Sequence, residues 1–179
     1  MTRSLQATNL NMQAFAEAGV PLIGTTLLQK LERLAQESIG LQLDSIVNWQ
    51  ATPELRAGST GQMAIWLHLT ATASVPLTCQ RCMGVVSTAL QIDQWYRFVA
   101  SEDIAMAEDD ASEEDLLVLS PQFDLVAVLE DELLMALPLV PMHDVCPESP
   151  VFSTGVLDAP DNIVDKPNPF AALAQLKKK

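Results

Sequence analysis

The sequence predicts an α+β fold: a mainly antiparallel β-sheet of four or more strands, packed by two or three helices. Three observations predict it. Three long segments with strand character follow one another, a leucine-rich segment with helical spacing precedes them, and a second such segment follows.

Near the start, Asn9 is placed to cap a short helix with Leu10, Ala14, Phe15 and Ala18 on one face, and Gly19 is a natural stop. Thr25 or Thr26 then opens a helix over about 25–38. Here Leu27, Leu28, Leu31, Leu34 and Ala35 recur at helical spacing, and Gly40 ends the run. The strand segments are 41–51, 61–73 and 85–100. In the middle one Met63, Ile65, Leu67, Leu69 and Ala71 point one way, while Gln62, Ala64, Trp66, His68 and Thr70 point the other. Pro53, Gly58 and Gly61 make the turn before it. The third segment is rich in β-forming types, with Ile92, Trp95, Tyr96, Phe98 and Val99. A meander is the economical connection of the three.

From Ser101 to Asp115 there are eight acidic residues and no basic one, a composition that favours a solvated, mobile loop. Residues 116–119 suggest one more short strand. Asp124 then introduces a helix over about 124–137, stopped by Pro138, with Leu125, Val128, Leu129, Leu133 and Ala136 as its core stripe and Glu130 and Asp131 facing solvent. The expected organisation is an α+β domain over 1–142 with its acidic loop at about 101–115. Residues 143–179 form an extended proline-rich tail ending in three lysines.

With 179 residues, 49% of them hydrophobic, the chain suits one sizeable core. No stretch approaches the roughly 18 apolar residues that cross a bilayer, and MTRSLQATNLNMQAF lacks the apolar segment of a secretion signal, so a cytoplasmic location is expected. An odd cysteine count with a tight C-x-x-C points to reduced thiols or a metal site rather than a disulfide framework.

The net charge of −13 is uneven. Residues 1–97 hold six basic and six acidic side chains, whereas 98–179 hold four and 17. Counterion release by Lys and Arg drives binding to phosphate backbones, so this balance argues for a basic protein partner over tight RNA binding. Glu108, Asp109, Asp110, Glu113, Glu114 and Asp115 are the candidate partner-binding residues. A second reading is direct RNA contact through the neutral first half and the terminal lysines, with Trp66, Trp95 and Tyr96 available for stacking.

Cys79-Gln80-Arg81-Cys82-Met83-Gly84 has the form of a zinc knuckle. Two thiolates on a tight turn converge on one metal, and the glycine permits an unusual backbone angle. His143 and Cys146, an H-x-x-C past the last helix, would complete a Cys3His set around Zn2+. A thioredoxin-like role fits less well, because that motif should open a helix and both flanks here look like strand. No enzyme is indicated. The only histidines are 68 and 143, and the seven glycines make neither a G-x-G-x-x-G nor a phosphate-loop pattern.

Three blocks carry a family resemblance: CQRCMG, FDLVAVLEDELLMALPLVPMHDVC and the terminal KPNPFAALAQLKKK. Together they resemble the bacterial YceD family. The resemblance implies a part in 23S ribosomal RNA accumulation or processing and large-subunit biogenesis, without known enzymatic activity or catalytic residues. The partner is then expected to be a pre-ribosomal particle or a basic ribosomal protein. Members with a fuller cysteine set carry a second close pair where this chain has His143 and Cys146, so the resemblance extends the metal reading to Cys79 and Cys82 first.

Overall fold

The computed structural model describes residues 6–57 and 63–147. Its centre is a five-stranded sheet: β1 (Leu22–Leu27), β2 (Ile46–Ala57), β3 (Met63–Thr78), β4 (Val85–Val99) and β5 (Asp115–Val118). The spatial order is the chain order, β1 to β4 being an antiparallel meander and β5 lying parallel to β4. This is the α+β, mainly antiparallel architecture that the sequence predicts.

Helices α1 (Met12–Ala18), α2 (Glu32–Glu37) and α4 (Leu125–Met135) supply the second layer, and α3 (Glu102–Glu108) bridges β4 to β5. In β3, Ile65, Leu67, Leu69, Ala71, Val75 and Leu77 are buried, as the two-residue alternation requires. Leu125, Leu129 and Leu133 of α4 fall four apart on one stripe, and all three are buried. Asp124 caps that helix by accepting from the N–H groups of Val126 and Ala127 at 2.9 and 3.0 Å.

Several expectations are corrected. Asn11, not Asn9, caps α1, its side chain accepting from Ala14 N–H, and Gly19 closes the helix in the left-handed region. Thr25 and Thr26 do not start a helix. They lie in β1, where β-branched neighbours suit an extended edge strand. The leucines behind them divide between a 3-10 turn (Leu28–Lys30) and the short α2, with Leu28, Leu31 and Leu34 all buried.

Pro53 is not in a turn but inside β2, opposite Leu67. Pairing with β1 ends at Ala51, so Pro53 stands where β2 is itself an edge and its missing N–H leaves no neighbour unsatisfied. Ala136 is exposed and lies beyond the end of the α4 stripe. The expected turn residues Gly58 and Gly61, and the tail from 148 onward, lie outside the described residues.

The acidic stretch is not simply a loop. Ser101 caps α3, a 3-10 turn (Asp109–Ala111) follows, and Asp115 begins β5. Arg97 organises it. Its guanidinium donates to Glu108 at 2.7 Å, to Ser112 at 2.9 Å and to Glu114. Nor does Glu130 face solvent, for its side chain is 12% exposed and engages α2.

Candidate metal centre

The C-x-x-C motif occupies the turn between β3 and β4, so strand pairing right up to Thr78 and Val85 fixes where the two thiols begin. Cys79 N–H donates to Gly84 O at 2.8 Å, and Met83 N–H to Cys79 O at 2.9 Å. The left-handed residue of this knuckle is Met83, with φ of 61°, whereas Gly84 has no positive φ. The unusual backbone angle expected at Gly84 thus falls one residue earlier. A side chain at 84 would meet Cys82 Sγ at 3.5 Å, an ordinary contact.

The chain returns to this turn after α4. Gln80 N–H donates to Pro141 O at 2.9 Å, and the Arg81 guanidinium donates to His143 O. These bonds hold the 141–146 segment against the knuckle, and His143 and Cys146 arrive beside Cys79 and Cys82. One donor atom from each of the four lies within 4.8 Å of every other. Cys79 Sγ is 3.9 Å from Cys146 Sγ, and Cys82 Sγ is 3.5 Å from His143 Nδ1. A tetrahedron with metal–sulfur bonds of about 2.3 Å has edges of about 3.8 Å, which these two distances match closely.

The imidazole is oriented for the task. His143 Nε2 lies 3.0 Å from Val85 O, which can only accept, so Nε2 carries the proton and the Nδ1 lone pair faces Cys82. Burial pushes the Cys79 thiol up. The backbone N–H groups of Cys82, His143 and Arg81, joined by the Cys82 thiol, outweigh it and bring Cys79 down to about 5. Cys146 is pushed up to about 11, by burial first and then by the Cys82 and Cys79 sulfurs. One sulfur is therefore prepared as a thiolate while its neighbour resists becoming a second one. Crowded sulfurs of this kind are what a divalent cation relieves.

Four protein donors converge, which suits a closed structural site rather than a catalytic one that keeps a position for water or substrate. The flanking strands also set it apart from a redox C-x-x-C at a helix start. The Arg81 and Val85 contacts belong to the site as well, and no spacing rule in the sequence points to them.

The model of the family described as large ribosomal RNA subunit accumulation protein YceD matches residues 67–177. The chain belongs to the YceD family. The matched range takes in β3 from Leu67 onward, both halves of the cysteine cluster and α4. A YceD relative, the large ribosomal RNA subunit accumulation protein YceD of Haemophilus influenzae, is 34% identical over 178 residues, covering 92% of this chain and 91% of its own length. No solved structure matches.

The acidic candidates of this YceD chain fall into two groups. Glu108 and Glu114 are bound by Arg97 and Asp115 accepts from Gln94 at 2.6 Å, whereas Asp109, Asp110 and Glu113 are exposed and have no ion-pair partner among the described residues. Of the aromatic candidates, Tyr96 is core, its hydroxyl donating to Glu132 at 2.6 Å, while Trp66 and Trp95 stand half-buried on the opposite face of the sheet. No helix among the described residues is long and apolar enough to cross a membrane.

Proposed function

We propose that this YceD-family chain acts without catalysis in accumulation of the large-subunit ribosomal RNA, by binding a basic protein of the pre-ribosomal particle in the cytoplasm. The charge of the folded part carries this reading. The described residues include 19 Asp and Glu but five Lys and Arg. Three of those five cations, Arg33, Arg56 and Arg97, are held in ion pairs with carboxylates. Such a surface repels phosphate and steers cationic partners. Asp109, Asp110 and Glu113 are the side chains best placed for first capture, while Glu108, Glu114 and Asp115 hold the segment in shape.

Zn2+ at Cys79, Cys82, His143 and Cys146 serves this function as a structural ion, fixing the 141–146 segment to the sheet. The match of donor spacing to a tetrahedral edge supports it.

The deciding experiment replaces Asp109, Asp110 and Glu113 with Asn, Asn and Gln and follows cosedimentation with large-subunit precursors at rising salt. The expected result is loss of cosedimentation at low salt with an unchanged thermal midpoint. Undiminished association of the variant would overturn the reading.

A further inference from the structure

The helices α1 and α4 pack on one face of the sheet, and α2 packs on α4. On the other face the register sets side chains in rows across β2, β3 and β4. Trp66 lies between Glu54 and Arg97, His68 between Thr52 and Trp95, Thr70 between Gln50 and Asp93, and Thr72 between Asn48 and Gln91. The last two rows, with Thr25 of β1, border an open trough of about 590 Å³ lined by strand residues alone. Its polar lining consists of uncharged hydrogen-bonding groups and one carboxylate.

The first two rows form an aromatic platform. His68 lies parallel to Trp95 with ring centroids 4.2 Å apart, and Trp66 meets Trp95 edge-on at 6.4 Å. The Arg56 guanidinium sits 4.5 Å from the Trp66 ring and 4.1 Å from the Trp95 ring. The chain's own arginine thus demonstrates that these indoles accept a guanidinium. Arg56 is ion-paired with Glu54 and Arg97 with Glu108 and Glu114, so neither cation of this face is free for a phosphate. The exposed Asp109, Asp110 and Glu113 follow in the segment that Arg97 anchors beside the Trp66 row.

We propose that this sheet face, which no helix among the described residues covers, is the docking surface for an extended, arginine-rich protein segment. Partner arginines would exchange with Arg56 at the Trp66–Trp95 platform, and their N–H groups would be accepted by Gln50, Asn48, Thr70, Gln91 and the second oxygen of Asp93, whose Oδ1 lies 2.6 Å from His68 Nε2. An extended peptide repeats its side chains every two residues, about 6.7 Å, which is also the spacing of successive rows along β3. This deepens the proposed function and rests on it, adding the surface and the chemistry of the partner.

The test uses the full chain and a short synthetic peptide with arginine at alternate positions, its lysine counterpart, and an oligouridylate. The variant Thr70→Lys/Gln91→Lys places two cations in the trough at positions outside the core, and circular dichroism confirms that it folds. The expected result is preference for the arginine peptide over the lysine peptide, and affinity about tenfold weaker in the variant. Full affinity in the variant sinks the docking surface. The Asp109/Asp110/Glu113 variant then decides whether acidic capture survives without it. If neither peptide binds the wild-type chain, both proposals fall. Tighter binding of oligouridylate than of peptide assigns the face to nucleic acid and overturns the inference.

Discussion

Glu130 of α4 caps α2 through Arg33: its Oε1 accepts the Arg33 backbone N–H at 2.7 Å, and its Oε2 accepts the guanidinium at 3.1 Å. The Arg33 Nε–H donates to the same Oε2 at 3.2 Å, and the Leu34 N–H adds a fourth bond, to Oε1, at 3.2 Å. Helix α2 has no side-chain cap of its own, Leu31 standing at that position, so a residue 97 positions away satisfies its first free donors.

Glu130→Ala should therefore destabilise the fold by about 1–3 kcal/mol, since it removes a cap and strands backbone donors. Arg33→Ala, whose side chain is 52% exposed, should cost below about 1 kcal/mol. Urea unfolding of the two variants checks the order.

Gly24 faces Trp49 across β1 and β2, and the indole Nε1 donates to Thr26 Oγ1 at 3.0 Å. A Cβ at 24 would lie 2.8 Å from Trp49 Cε2 and closer still to Cζ2. Gly24→Ala should cost about 1–3 kcal/mol by overpacking, and Trp49→Leu should recover part of that loss in the double variant. A double-mutant cycle in denaturant measures the coupling.

Acid should release the segment around Glu114. Burial raises the pKa of this carboxyl, but hydrogen bonds from Arg97 and from the Glu114 and Glu113 backbone prevail and hold it below its ordinary 4.5. A depressed carboxylate stabilises the fold above its unfolded pKa, and that contribution disappears as pH falls below 4.5 through the folded value. Exchange protection of the Ser112 amide, which donates to Asp109 O, should fall in this window in the native chain. In Arg97→Gln the protection should already be low at neutral pH.

Metal removal should act locally. Cys79 belongs to the core and Cys82 and Cys146 pack against it, but most of that core comes from the sheet and the helices, so chelation should expose 141–147 to protease while far-ultraviolet dichroism stays near native. Purification without chelator should yield stoichiometric zinc, and Cys146→Ser should reduce it to a trace.

The sheet was legible because Met63 to Ala71 alternates without interruption, and α4 because Asp124 and three leucines mark its start and stripe. Residues 22–27 were not. Their two threonines precede a leucine series and can serve as caps, and only pairing with β2 decides for a strand. Glu130 looked solvated because a sequence shows the charge but not the uncapped helix end that it meets. The four candidate metal donors could be found from residue type. Their convergence depends on Gln80 and Arg81 binding carbonyls more than 60 positions away.

The strands of the meander are staggered: β2 runs past β1 beyond Ala51, and β3 runs past β2 beyond Ala73. Each overhang leaves a row of backbone groups able to template another chain, and each contains a proline, Pro53 in the first and Pro76 in the second. In the second overhang Pro76 O is already taken by Ile39 N–H at 2.9 Å. The two prolines thus break the donor pattern where the sheet is open to fibrous self-association, and the net charge of −13 adds mutual repulsion that keeps copies of the chain dispersed.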